Sequence, residues 1–169
     1  MSKIRERPPA SPPTGKSSGR AGARPRPWEP DRVHRDYELH PTPPSVADYL
    51  RLRAESGLSP KTAEQAAAAL PGAWASFHVT HADGGTVGMG RVLGDGGWYF
   101  HVVDMAVLPD HQGRGVGGAI MDALLRRIRE AAPPGAFVTL LADAPGRPLY
   151  LKHGFTETAP GSIGMALTL

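Results

Sequence analysis

The sequence predicts an α/β fold, more closely an α+β mixed sheet with helices on both faces, and three observations predict it. Residues 45–69 carry apolar groups at helical spacing, whereas 74–107 fall into three strand-like runs. Those runs are joined by tight turns at Ala82-Asp83-Gly84-Gly85 and Gly94-Asp95-Gly96-Gly97, which makes neighbouring strands antiparallel. A strand, a long helix and another strand then follow in succession, the pattern of a crossover and so of a parallel pair. The expected order is β-α-α-β-β-β-α-β-α-β-β, and no internal repeat is visible.

Along the chain, residues 37–40 read as a short strand. Ser45 is placed to cap a helix whose Val46, Tyr49, Leu50 and Leu52 recur at helical spacing, and Gly57 is placed to end it. Ser59-Pro60 is a second start signal, with Ser at the cap and Pro at the first helical position. The alanine run through Ala69 follows and Pro71-Gly72 stops it. Residues 74–81, 86–93 and 98–107 are the three strands, the last dense in aromatic and β-branched groups. Trp98 and Phe100 are expected in the core. A helix over 116–131 carries Ile120, Leu124 and Ile128 on one face, and Pro133-Pro134-Gly135 breaks it. Residues 137–141 read as a buried strand, 148–153 as a short helix, and 155–158 with 163–169 as a final pair of strands.

With 169 residues and 40% apolar composition, the chain is large enough for one domain with a sizeable core. No stretch approaches the roughly 20 apolar residues of a membrane span. No apolar segment follows Lys3, Arg5 and Arg7, so no secretory signal is read there, and a cytoplasmic location is expected. The absence of cysteine excludes disulfides, thiolate metal sites and a cysteine nucleophile. The seven histidines show no tight ligand spacing, so no metal is expected. The isoelectric point near 9.5 belongs to one end of the chain. Residues 1–30 hold Lys3, Arg5, Arg7, Lys16, Arg20, Arg24 and Arg26 against Glu6 and Glu29, a balance of +5, while the whole chain carries +3; residues 31–169 therefore carry −2. This argues against nucleic acid binding by the folded part. Residues 1–33, rich in Pro, Ser, Gly and Arg, are expected to be disordered.

The segment that carries chemistry runs from Val103 through Asp104, Met105, Ala106, Val107, Leu108 and Pro109 to Gln112-Gly113-Arg114-Gly115-Val116-Gly117-Gly118. It lies between a strand and a helix. A glycine-rich turn there lets backbone N–H groups converge on an anion, and the helix dipole adds positive potential. The spacing is neither a Walker loop nor the GxGxxG of a dinucleotide fold.

This turn resembles the acetyl-CoA loop of the GNAT superfamily of N-acetyltransferases, whose pattern is Gln/Arg-x-x-Gly-x-Gly/Ala; Gln112, Gly115 and Gly117 match it. Met105-Ala106-Val107-Leu108-Pro109 resembles the family's pre-loop strand end. Leu149-Tyr150-Leu151-Lys152-His153-Gly154-Phe155 resembles its late-helix motif Tyr-x-Lys-x-Gly-Phe. The likeness covers roughly residues 36–169, with a domain over 34–169. It implies the acyl-CoA N-acyltransferase fold, with acetyl-CoA as co-substrate and no metal. Met105 and Val107, flanking Ala106, would pair with the pantetheine arm, and the amides across Gly113, Arg114, Gly115, Val116, Gly117 and Gly118 would hold the pyrophosphate. Tyr150 matches the family's general acid. The family's frequent Asn at the start of that helix is absent between Asp143 and Gly146.

The resemblance leaves the base open. A strand position where relatives often carry Glu is His101 here, and Asp104 resembles an acidic residue of some members. In a regular strand His101, Val103, Met105 and Val107 share one face and Asp104 points the other way. His101, acting through a water, Asp104, and no dedicated base all stand as readings. The acceptor implied is a small-molecule amine. Acetylation of a protein at a lysine or N-terminus is the alternative, and a non-catalytic acyl-CoA-binding module is a third reading. The segment 45–69 would form the acceptor wall. A homodimer is expected from the family's habit.

Overall fold

The computed structural model describes residues 35–168, so the expected disordered segment 1–33 lies outside the described residues. The elements are β1 (Tyr37–His40), α1 (Val46–Glu55), α2 (Ala63–Ala69), β2 (Ala75–His81), β3 (Thr86–Gly94), β4 (Tyr99–Val107), α3 (Val116–Ala131), β5 (Phe137–Leu140) and α4 (Arg147–Lys152). The five strands lie in sequence order in one sheet. Every neighbouring pair is antiparallel except β4 with β5, which is parallel, as a crossover through α3 requires.

The sheet buries both faces. Against α3 lie Phe77, Val79, Val92, Phe100 and Val102, with Val116, Ile120, Leu124 and Ile128 as the helix's contribution. Against α1 and α2 lie Met89 and Ala106, meeting Tyr49, Leu52, Ala66 and Leu70. Phe100 is fully buried as expected, packed edge-on to Trp74. Trp98 is not in the core. It sits before β4 begins, is 61% exposed, and leans on Tyr99. α3 approaches β3 closely because that strand is glycine at two positions facing the helix. A Cβ at Gly90 would stand 2.7 Å from Ile120 Cγ2, and one at Gly88 would stand 2.9 Å from Val116 Cγ1.

Three further expectations are corrected. The cap of α2 is Thr62, not Ser59: Thr62 and Gln65 form a reciprocal capping box. Ser59 is engaged elsewhere, its carbonyl accepting from Arg53 Nε at 2.8 Å and its hydroxyl from Arg53 Nη2 at 3.1 Å. The final pair of strands does not form among the described residues; 155–168 have no regular structure. Pro160 offers no N–H, a turn ties Ser162 N to Thr158 O at 3.0 Å, and no neighbouring strand supplies a ladder.

The third correction concerns β4. Its register against β3 slips by one residue, from Arg91 opposite Val103 to Met89 opposite Ala106. Asp104 takes a left-handed φ of 56° and is the extra residue of a β-bulge. Phe100 and Val102 face α3, so His101 and Val103 face the other way. After the bulge Met105 and Val107 join the α3 side, and Asp104 faces α1 together with His101 and Val103. The expected alternation therefore fails at one residue.

A buried polar cluster holds that residue. The Asp104 carboxylate takes Arg53 on one oxygen and Arg91 on the other, and Tyr49 donates to it at 2.9 Å. The three charged side chains are between 7% and 12% exposed. Arg91 also donates to the Ala69 carbonyl at 3.0 Å, and Arg53 reaches the Tyr49 oxygen at 3.3 Å. One anion thus ties α1, the end of α2, β3 and β4 together. Removing one partner of a buried ion pair leaves uncompensated charge in low dielectric. Asp104→Ala is expected to lower stability by about 3–5 kcal/mol in urea unfolding; a loss within the ~0.5 kcal/mol of an ordinary surface change would contradict this account.

Candidate active site

The sheet opens where β4 outlasts β5. Their pairing runs from Tyr99 with Phe137 to Val102 with Leu140, and beyond it Val103–Val107 has β3 as its one sheet neighbour. Leu108 N–H bonds to Val87 O at 2.9 Å, toward β3. By strand alternation the N–H and C=O of Val107 point the other way, into the gap. There the Val107 carbonyl accepts from Gln112 Nε2 at 2.9 Å, so the first residue of the glycine turn is fastened to the strand end.

The turn is open. Gly113 and Gly115 have φ of 73° and 86°, a region closed to most side chains, and Gly115 is the N-cap of α3. A glycine cap has no side chain to accept from the first turn, and none does. The first helical bond runs from Ala119 N to Gly115 O at 2.9 Å, which leaves the amides of Val116, Gly117 and Gly118 without intrahelical partners. Gln112 to Gly115 are exposed. A 16-residue helix adds its dipole at this end. Uncapped amides at an exposed helix start, two positive-φ glycines and an unpaired strand end leave backbone donors from which an extended anionic ligand can accept.

α4 lies against this start. A Cβ on Gly117 would stand 3.4 Å from Leu149 Cδ2, and one on Gly118 would stand 4.0 Å from His153 Cε1. His153 Nδ1 lies 2.8 Å from the Leu149 carbonyl. α4 carries Tyr150, half-buried and packed edge-on to Phe155. Its hydroxyl has no hydrogen-bond partner among the described residues. Burial raises the phenol above its ordinary value of 10.0, and the nearby Asp143 charge raises it further, so it stays protonated and able to donate.

His101 is half-buried on β4. Its Nδ1 lies 2.8 Å from Thr139 Oγ1, which itself reaches the Phe100 carbonyl at 3.3 Å. With the Thr139 proton directed to that carbonyl, the hydroxyl accepts from Nδ1–H and the lone pair stays on Nε2. Burial lowers the imidazole below its ordinary 6.5, which keeps it neutral at pH 7. His101 and Tyr150 line one cavity of about 730 Å³, bounded by β5, α3, α4 and residues 155–164. This cavity does not include the glycine turn. The turn lies on the open surface.

His101 and Tyr150 both line the cavity, His101 from the face of β4 turned away from α3 and Tyr150 from α4. The structure sets Met105, Ala106, Val107 and Gln112 to Gly118 along the open strand end and turn, and sends Asp104 to the buried cluster. Tyr49, Arg53, Arg91 and Thr139 are the partners that sequence reasoning missed. Arg91 was findable, since a cation within an apolar strand requires an anion. His111 lies just before the turn, in the loop after β4. Its Nδ1 lies 2.9 Å from Tyr37 OH and its ring packs edge-on to His81, and its pKa is lowered by burial, then by His81 and Arg114. No group of three or more His, Cys, Asp or Glu able to hold a metal occurs among the described residues, and no described helix is long and apolar enough to cross a membrane.

Comparison with known proteins agrees with this geometry. The Acetyltransferase (GNAT) domain family matches residues 73–157, half of the chain. A protein of unknown function from meticillin-resistant Staphylococcus aureus, described as "Probable Acetyltransferase", is 39% identical in sequence. The match covers 79% of this chain and 99% of that one, with a TM-score of 0.75. A GNAT family acetyltransferase of Streptococcus pneumoniae, 22% identical, matches in fold over 79% of this chain and 96% of its own, with a TM-score of 0.63. An uncharacterized N-acetyltransferase of Porphyra purpurea is 33% identical over 79 residues, 47% of this chain and 44% of that protein. The match thus spans less than half the length of this curated relative. With the family matched over half its length and one relative similar across nearly all of its own, the chain belongs to the GNAT acetyltransferase family.

Proposed function

We propose that the chain is an acetyl-CoA-dependent N-acetyltransferase acting on the primary amine of a small molecule, by direct attack in a ternary complex. The observation that carries this is the exposed, uncapped start of α3 beside the unpaired end of β4, with Tyr150 and His101 on an adjoining cavity. Acetyl-CoA supplies the activated acyl group as a thioester. The amides from Gly113 to Gly118 hold its diphosphate, and the backbone of Met105 and Val107 pairs with its pantetheine arm as an added strand. Gln112 keeps the turn in register with that strand.

The acceptor amine, protonated near neutral pH, gives its proton to His101 Nε2 through a water. The amine lone pair then attacks the thioester carbonyl, and the C–S bond breaks as the C–N bond forms. The departing sulfur takes the Tyr150 hydroxyl proton, the acylated nitrogen gives up its second proton through water to the phenolate, which restores Tyr150, and His101 returns the first proton to solvent. Asp104 serves this centre by holding the bulge that aims Met105 and Val107. The cavity of about 730 Å³ lies within the ~300–1,000 Å³ of small-molecule sites, which supports a small acceptor over a protein chain.

Three tests follow. Tyr150→Phe is expected to bind acetyl-CoA with unchanged Kd by calorimetry and to turn over at least about tenfold more slowly. Unchanged turnover removes Tyr150 from the chemistry, and binding without turnover in the parent chain favours a non-catalytic module. Protonation of His101 stops it acting as a base, and its pKa lies below 6.5, so kcat/KM should hold at pH 6.5 and fall on further acidification. His101→Gln should abolish that acidic limb and lower kcat/KM about 100-fold; a limb that persists unchanged excludes His101. Gly115→Val forces a branched side chain into φ 86° and should weaken acetyl-CoA binding by about tenfold or more, with the circular dichroism spectrum retained. Unaltered affinity would show that the coenzyme binds elsewhere.

A further inference from the structure

β5 reads Phe-Val-Thr-Leu, and its one polar residue is the one beside His101. The parallel register sets Tyr99 next to Phe137 and His101 next to Thr139. Val138 and Leu140 pack toward α3, so Thr139 shares the opposite face with Tyr99 and His101. Three short contacts meet there on one oxygen. Thr139 Oγ1 lies 2.8 Å from His101 Nδ1, 3.3 Å from the Tyr99 hydroxyl oxygen and 3.3 Å from the Phe100 carbonyl oxygen. Among the described residues, the hydrogen-bond partner of the imidazole is therefore a neutral hydroxyl. A carboxylate or carbonyl in that place only accepts, and so fixes which ring nitrogen carries the proton. A hydroxyl both donates and accepts, and by itself leaves the ring undecided.

The protons available decide between the two forms. The neutral ring brings one to this cluster, and each hydroxyl brings one. If Thr139 gives its proton to Nδ1, the ring's own proton sits on Nε2, and two oxygens face each other across the Phe100 contact with no proton between them. If Thr139 gives it to Tyr99, the same contact stays empty. If Thr139 gives it to the carbonyl, all three contacts hold a proton. The Tyr99 O–H and the His101 Nδ1–H then donate to the two lone pairs of Oγ1, and Oγ1–H donates to Phe100. The carbonyl has no proton to offer, so it sets the direction of the other two bonds.

We propose that Thr139 is a positioning residue that selects the tautomer of His101, relaying the accepting character of the Phe100 carbonyl so that the ring proton stays on Nδ1 and the lone pair on Nε2. The value of this selection to catalysis rests on the reading of His101 as the base; the tautomer itself does not. Without the hydroxyl, an Nδ1–H would face a methyl group and have no acceptor. The proton would move to Nε2, where water accepts it, and the nitrogen turned to the acceptor amine would become a donor.

Nitrogen NMR on the whole chain, with isotopically labelled histidine at about pH 8, well above the ordinary imidazole value, separates a protonated ring nitrogen from a bare one. The His101 signals are those missing from His101→Gln. The parent chain is expected to carry the proton on Nδ1 and to leave Nε2 bare. Thr139→Val should move it to Nε2, and Thr139→Ser, which restores the hydroxyl, should keep it on Nδ1. In amine acetylation, kcat/KM should fall at least about tenfold in Thr139→Val and stay within about threefold of the parent in Thr139→Ser, with acetyl-CoA Kd unchanged in both. A parent ring protonated on Nε2, or a Thr139→Val ring still protonated on Nδ1, would overturn the proposal, and the first is read whether or not the valine variant folds. A tautomer that inverts in Thr139→Val while transfer is unchanged leaves the selection standing and removes His101 from the role of base.

Discussion

The grip of Arg53 and Arg91 on the Asp104 carboxylate is the interaction on which the arrangement of the molecule depends. A strand alternates its side chains without exception unless a residue is inserted. Asp104 is that insertion, in a backbone conformation that costs energy for any residue but glycine. Two guanidiniums and a phenol offset the cost. The result is that β4 leaves the body of the sheet with its end re-aimed, and the gap between β4 and β5 opens where the bulge sits. Since the guanidiniums come from α1 and β3 and one reaches on to the end of α2, the helical layer and the gap are set by the same contact.

On the proposed reading, the gap and the glycine turn divide the work of recognition. The turn offers amides, which suit a charged, sequence-blind group such as a diphosphate, and needs no side chain to do it. The cavity beyond offers a neutral imidazole and a protonated phenol, two groups whose pKa values burial moves in opposite directions away from neutrality. Burial alone lowers the imidazole, and for the phenol the Asp143 charge adds to burial.

Most of the fold was legible because its signals are local. The two glycine turns, the apolar stripe of α3 and the proline stops marked the elements to within a residue or two, and the glycine loop was visible as a strand-to-helix turn. What was not legible depends on distant partners. The bulge at Asp104 exists because Arg53 lies 51 positions and Arg91 13 positions before it, and no period in β4 records that. Ser59 looks like a helix cap until Arg53 claims it. The last segment has the alternation of a strand, but pattern gives a strand its face and not its neighbour. Trp98 went wrong for a simpler reason: it stands one residue outside the strand whose burial it was assigned.

The helices of this molecule are not finished in the same way. α1 is closed by the Ser45 side chain and α2 by that of Thr62. α3, the longest and the one that carries most of the core, begins on a residue with no side chain to close it. An anion seated on its first turn would act as the missing cap, a contribution of about 0.5–2 kcal/mol in other helices. Part of the protein's resistance to heat and proteolysis is then held outside the polypeptide and rises and falls with the concentration of whatever occupies that turn.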